Sequence, residues 1–341
     1  MKKFILTILC FFAIPIILLL FIYYWTDPFK ILKPFDINDV DATNREYMST
    51  ELFTKNKDSI EYNSFIFGSS RAGGFNTYTW KMYLGDNAQP YLFQAWAETL
   101  SGIYLKLDFL DKNDINIDNA ILLFDIPSTF AKEQLPTEVL TLKHYCLTNT
   151  SHFQYSMTQF YNFCQKPSLW ISSIKKKINN TKIPYSADLV TNDWESKNKD
   201  NYDFLPKQDS LKSCSEKTRK TFLYNHDKNR NKPQKVSNQL INNDFLTILE
   251  DIKTILSQHK TNYQIVISPA ICSSNPKINQ EDLAIIENIF GKDKVHNYSG
   301  CNEITNDYNN FSDPGHFGLR VGYMIFEDIY NSDIIVEYEH K

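Results

Sequence analysis

Four short apolar runs, each halted by a polar or turn-forming residue, constrain this chain more than any other feature. Ser64-Phe65-Ile66-Phe67 stops at Gly68-Ser69-Ser70-Arg71, and Pro90-Tyr91-Leu92-Phe93 stops at Gln94. Ala120-Ile121-Leu122-Leu123-Phe124 stops at Asp125 and Pro127, and Tyr263-Gln264-Ile265-Val266-Ile267 stops at Ser268-Pro269. Val295 to Tyr298 is a weaker fifth. Helical spacing separates them: Ile103, Leu107 and Leu110 follow the second run, Phe245, Leu249, Ile252 and Ile255 precede the fourth, and Leu283, Ile286 and Phe290 follow it. Apolar strands alternating with amphipathic helices predict an α/β protein, a parallel sheet covered on both faces. In such sheets ligands gather beyond the carboxyl ends of the strands, so the residues that end each run are the ones to inspect.

The N-terminus follows another logic. Lys2 and Lys3 precede an uncharged stretch from Phe4 to Trp25, roughly 22 residues or about 33 Å as a helix, enough to cross a bilayer. It closes on Tyr23, Tyr24 and Trp25, which suit a membrane interface better than a signal-peptidase site. Leu9 before Cys10 is too bulky for a lipoprotein signal, and Pro15 is tolerable as a kink. The expectation is an uncleaved plasma-membrane anchor over 1–25, N-terminus inside, with the rest extracytoplasmic. A polar stalk and linking helix over 26–56 then lead into one domain over 57–341.

Within that domain the alternation lapses between about 131 and 235. This insertion is rich in Asn, Lys, Tyr and Ser and carries Trp170, Trp194, Lys175-Lys176-Lys177 and a basic stretch from Lys217 to Lys235. It reads as a solvated helical excursion, or else as a cap over the sheet edge that meets an extended or anionic substrate. Outside the anchor lie Cys146, Cys164, Cys214, Cys272 and Cys301, with no CxxC pair, so no metal site is expected. Cys146 with Cys164 is one disulfide that the spacing allows.

Net charge narrows the partners. Lys and Arg number 36 against 40 for Asp and Glu, a balance of −4 that argues against a nucleic-acid binder. Aromatics at 14% supply core area and also stacking surfaces for sugars or lipids. No phosphate-cradling loop or dinucleotide fingerprint is present, so no cofactor is expected.

Two motifs carry chemistry. A serine at Gly68-Ser69-Ser70-Arg71 sits at the mouth of the sheet, with following backbone amides able to face an anion; taken alone, such a stretch is more often a polar turn. Asp313-Pro314-Gly315-His316 could present a carboxylate and an imidazole from one loop, the pairing a nucleophilic hydroxyl needs; taken alone, Asp-Pro is equally a helix start.

Together, a serine after the first strand and Asp-x-x-His after the last resemble the SGNH (GDSL-type) hydrolase superfamily. The resemblance spans roughly Ser64 to Phe130 and Gln239 to Asn331. By position it implies Ser70 as nucleophile, Asp313 as orienting carboxylate and His316 as general base, with Ser69 at the family's aspartate position. It also implies a flavodoxin-like three-layer sandwich of about five parallel strands. Gly102 is the candidate for the family's oxyanion glycine beside the Ser70 amide, or else a helix-start residue. Arg71, Gln94 and Asp125 are candidates for substrate contact, Asp125 ending the third strand near where the family has an asparagine; Glu98 is a further residue there. A tethered, outward-facing member is similar to proteins that acylate or deacylate envelope polymers. The implied function is a serine-dependent acyltransferase or esterase on a cell-envelope glycan or polymer, working through an acyl-serine, with a multi-spanning membrane acyltransferase as donor partner. The alternatives are a catalytically silent glycan-binding or assembly module and a subunit of an acylation complex.

Overall fold

Strands buried on both faces read as unbroken apolar runs, and the runs become strands of one five-stranded, all-parallel sheet. A computed structural model describes residues 2–33, 44–132, 141–179, 194–198, 203–206, 234–274 and 276–330. In chain order the strands are β1 (Ser64–Gly68), β2 (Pro90–Gln94), β3 (Asn119–Phe124), β4 (Trp194–Asn198), β5 (Asp203–Pro206), β6 (Asn262–Ile267) and β7 (Val295–Asn297). The helices of eight residues or more among the described residues are α1 (Lys2–Thr26), α2 (Arg45–Asn56), α3 (Thr77–Leu84), α4 (Leu100–Lys112), α5 (His152–Cys164), α6 (Pro167–Asn179), α7 (Asn243–Gln258), α8 (Gln280–Phe290) and α9 (Leu319–Tyr330).

The sheet order is β2-β1-β3-β6-β7, so β2 and β3 flank β1 on opposite sides and the chain crosses back past β1 between them. Such a reversal opens a crevice beyond the carboxyl ends of the strands. Side chains alternate across the pleat. Phe65, Phe67, Tyr91 and Phe93 stack among themselves and with Phe53 on one face, where Phe109 of α4 also meets Phe53. Ile66, Leu92, Ile121, Leu123 and Val266 face the other way, into a core shared with Trp80 of α3 and Val321, Ile325 and Phe326 of α9.

The chain divides into two compact units. One takes in Met1–Leu52 and Gln134–Asn192, the other Phe53–Glu133 and Asp193–Lys341, which holds the sheet. The start of the expected stalk is folded within the first unit. Buried Asp27 accepts the amides of Ile31, Leu32 and Lys33, and Phe29 and Ile31 pack with Tyr23, Tyr155 and Phe163. The insertion supplies α5 and α6 to this unit, but it is not purely helical: β4 and β5 pair antiparallel. Cys214 and most of the basic stretch from Lys217 lie outside the described residues.

Two expectations are corrected or left unsupported. α1 occupies the N-terminal apolar run over 25 residues, but among the described residues no helix is long and apolar enough to cross a membrane. The side chains of residues 5–10 and 12 lie outside that description. Cys146 and Cys164 are free thiols and not a disulfide. The bridge joins Cys272 to Cys301, Cα atoms 4.6 Å apart, in the segments that follow β6 and β7.

Candidate active site

At Gly68 strand β1 lies so close to β3 that a Cβ would stand 2.8 Å from that of Leu123. The chain then enters a 3-10 turn over Ser70–Gly74. Ser69 organises this turn. Its Oγ accepts the Arg71 amide at 3.1 Å, its carbonyl accepts the Ala72 amide at 3.0 Å, and its hydroxyl donates to Asp125 Oδ2. The first amides of a helical turn have no acceptor within it. Those of Arg71 and Ala72 are taken by Ser69.

The other half of the site hangs between two buried phenylalanines. Phe311 and Phe317 form an isolated antiparallel bridge, closed further by the Ser312 amide donating to the His316 carbonyl at 2.9 Å. Asp313 therefore does not cap α9, which begins at Leu319. Instead Asp313 Oδ1 accepts the amides of Gly315 at 2.7 Å and His316 at 3.0 Å, an Asx-type turn that fixes its carboxylate. Asp313 Oδ2 lies 2.8 Å from His316 Nδ1, and His316 Nε2 lies 2.8 Å from Ser70 Oγ.

A carboxylate can only accept, so Nδ1 carries the proton and Nε2 presents its lone pair to the hydroxyl. Burial pushes the Asp313 carboxyl upward. The hydrogen bond and charge of His316, with the two backbone amides, outweigh that and hold it below the ordinary carboxylate range. A hydroxyl, an imidazole and an oriented carboxylate in this sequence can pass a proton off the serine as it attacks.

Glycines bring the two halves together. A Cβ on Gly322 of α9 would stand 2.1 Å from the Gly74 carbonyl oxygen, and one on Gly74 would stand 2.3 Å from the Phe317 ring. Backbone thus packs on backbone between the serine turn and the last helix.

The remaining candidates occupy distinct places. Asp125 is buried after β3. It receives Ser69 Oγ–H and faces Arg71 Nη1 at 3.5 Å, so its charge is spent on the serine turn. Arg71 is partly exposed between Asp125 and the Asp313–His316 loop, and a Cβ on Gly315 would lie 3.6 Å from its Nη2. Gln94 is buried at the end of β2, in register with Gly68, beside the relay rather than in it. Gly102 takes the helix-start role: its amide donates to Thr99 Oγ1 at 3.2 Å as part of the α4 cap and is not offered to an oxyanion.

Sequence reasoning missed Lys106. Fully buried on α4, it donates to the Glu98 carboxylate and to the Phe93 carbonyl at 3.2 Å, and it lies over the Phe93 ring. Its signal was a lysine three residues after Ile103 on the apolar face of the helix. The backbone of β5 runs beside the Ser70–Gly74 turn, which brings part of the insertion to this end of the sheet. Among the described residues no group of three or more His, Cys, Asp and Glu side chains converges on a metal position. No family model matches the chain, and comparison with the curated proteins finds no match.

Proposed function

We propose that this chain is a membrane-anchored, serine-dependent acyltransferase or esterase of the SGNH type, acting on a cell-envelope glycan or polymer. The observation that carries the reading is the 2.8 Å approach of His316 Nε2 to Ser70 Oγ, with Asp313 behind the ring. Ser70 Oγ attacks the ester carbonyl as its proton passes to His316 Nε2, and Asp313 stabilises the resulting imidazolium. The oxyanion rests on the Ser70 amide. Collapse expels the alcohol, which takes the proton from His316, and leaves an acyl-serine. An acceptor hydroxyl, or water, then gives its proton to His316 and displaces the serine.

Other features fit this reading. The sheet order, counted along its own strands as 2-1-3-4-5, is that of flavodoxin-like sandwiches. Lys2 and Lys3 ahead of the apolar α1 favour an anchor with its N-terminus inside. A disulfide between Cys272 and Cys301 suits the oxidising side of the membrane. An acyl chain reaching a serine there calls for a multi-spanning membrane acyltransferase as donor.

One observation favours a second reading, a catalytically silent glycan-binding module: the Gly102 amide is committed to Thr99, which leaves the oxyanion a single identified donor. Covalent labelling separates the two. A serine-directed phosphonate should label Ser70 of the full chain, and Ser70→Ala should abolish both labelling and turnover of a small acetyl ester. Glycan binding without labelling favours the module, and turnover unchanged in Ser70→Ala refutes the enzyme assignment.

A further inference from the structure

Helices α5 and α6 grip the outer end of α1. Tyr23 packs its ring 5.3 Å from Phe160 and 5.2 Å from Phe163, and its hydroxyl donates to the Ser156 carbonyl. Leu169 of α6 shares that core, and Leu19 and Ile22 of α1 pack against it. Both helices therefore lie level with the aromatic end of the apolar run, the depth at which Tyr and Trp meet lipid headgroups.

Their outward faces carry apolar side chains. On α5, Phe153, Met157 and Tyr161 recur every four residues and are 70%, 39% and 59% exposed, a stripe that a helix wholly in water would have no reason to carry. On α6, Ile171 and Ile178 are 56% and 66% exposed, with Lys175, Lys176 and Lys177 between them. Apolar residues interleaved with lysines on a short helix match the edge of a bilayer, with hydrocarbon below and anionic headgroups alongside. On α1 itself Ile17, Leu18 and Phe21 are each more than half exposed.

We infer that α5 and α6 form a collar that lies in the headgroup layer of an anionic bilayer around α1, holding this unit against the membrane surface instead of on a free tether. The inference rests on reading α1 as the anchor, and the test separates the two.

The full chain, with Cys10, Cys146, Cys164 and Cys214 replaced by serine, is labelled with a nitroxide at Ile17→Cys, Met157→Cys or the exposed Tyr78→Cys. It is then reconstituted in phosphatidylcholine–phosphatidylglycerol vesicles. Lipid-dissolved oxygen should broaden the signals at 17 and 157, and a water-soluble nickel chelate the signal at 78. Nickel access at 157 with oxygen access at 17 overturns the collar and leaves the anchor. Nickel access at both overturns both. A label at 157 shielded from both reagents means a protein, a second copy or another membrane protein, covers α5, which also overturns the lipid assignment. Should the serine background fail to fold, Met157→Trp in the native chain reads the same depth by brominated-lipid quenching.

Discussion

Gly322 meets Gly74 backbone to backbone: a methyl group on the helix residue would fall 2.1 Å from the carbonyl oxygen of the turn residue. This contact presses α9 onto the turn that carries Ser70, and the loop that carries His316 runs directly into α9. The approach of Ser70 to His316 depends on it. Gly322→Ala is expected to cost about 1–3 kcal/mol, as overpacked cores do, and to lower turnover more than melting alone explains, because the displaced parts are the two halves of the relay. Gly315→Ala is the control. Its Cβ would meet Asp313 and Arg71 atoms no closer than 3.5 Å, ordinary contact, so that variant should keep its melting temperature. Calorimetry and ester turnover on both variants check the pair.

Asp313 predicts a signed pH effect. Its carboxyl is held below the ordinary range in the folded chain by His316 and two amides against the opposing effect of burial. A depressed group stabilises the fold above its unfolded pKa, about 3.9 for Asp, and that stabilisation fades as pH falls through the lower folded value. The melting temperature of the native chain should exceed that of Asp313→Asn by a constant margin from pH 5 upward, and the margin should shrink below pH 4. Asn also offers His316 Nδ1 a different partner. Ester turnover should fall by roughly 10³–10⁴-fold through loss of the correct tautomer. A margin that grows toward acid pH would reverse the sign and sink the assignment.

What the sequence made legible follows from how local each signal is. Ser70 stood out because a strand buried on both faces must end abruptly, and Asp313 and His316 because three residues suffice to set a carboxylate beside an imidazole. Of the two local readings of Gly102 the helix start is the one seen: Thr99 caps its amide, which the oxyanion would need. Asp313-Pro314 reads as a helix start too, yet the backbone bridge between Phe311 and Phe317 and the Ser312–His316 hydrogen bond close it into a loop. Pairings between distant segments had no local signal. Nothing in the spacing of five cysteines selects Cys272 with Cys301, and nothing near Gly74 announces Gly322. Asp27, read as part of a polar stalk, accepts three backbone amides only because the chain reverses there.

Lys106 and Glu98 form an ion pair with both side chains out of solvent, beside the loop that leaves β2 next to the serine turn. Removing one charge of such a pair strands the other. Lys106→Met should destabilise the chain by about 3–5 kcal/mol. The same rule holds that replacing both partners is far milder, so Lys106→Met with Glu98→Gln should recover most of the loss. Urea unfolding of the single and double variants gives the coupling directly. A double variant no more stable than the single one would mean that a stranded Glu98 carboxylate is not what destabilises Lys106→Met.

Cys272 and Cys301 buttress the histidine loop from behind. Next to the bridge, the Ile271 amide donates to the Pro314 carbonyl at 3.2 Å and the Cys272 amide to the Thr305 carbonyl at 2.9 Å, so the cross-linked segment holds the middle of the Asp313–His316 turn. The bridge spans a sequence separation of 29, and closing a loop of that length removes about 3–4 kcal/mol of unfolded-chain entropy in the chain-entropy model. Cys272→Ser with Cys301→Ser should therefore lower the melting temperature and make ester turnover fail at a lower temperature than in the native chain. Reductant should reproduce both effects in the native chain and leave the double variant unchanged. Alkylation of the unreduced, denatured protein, followed by mass spectrometry, gives the direct check: Cys146 and Cys164 should carry the alkyl group while Cys272 and Cys301 do not. Modification of all four would remove the bridge and with it the predicted thermal difference.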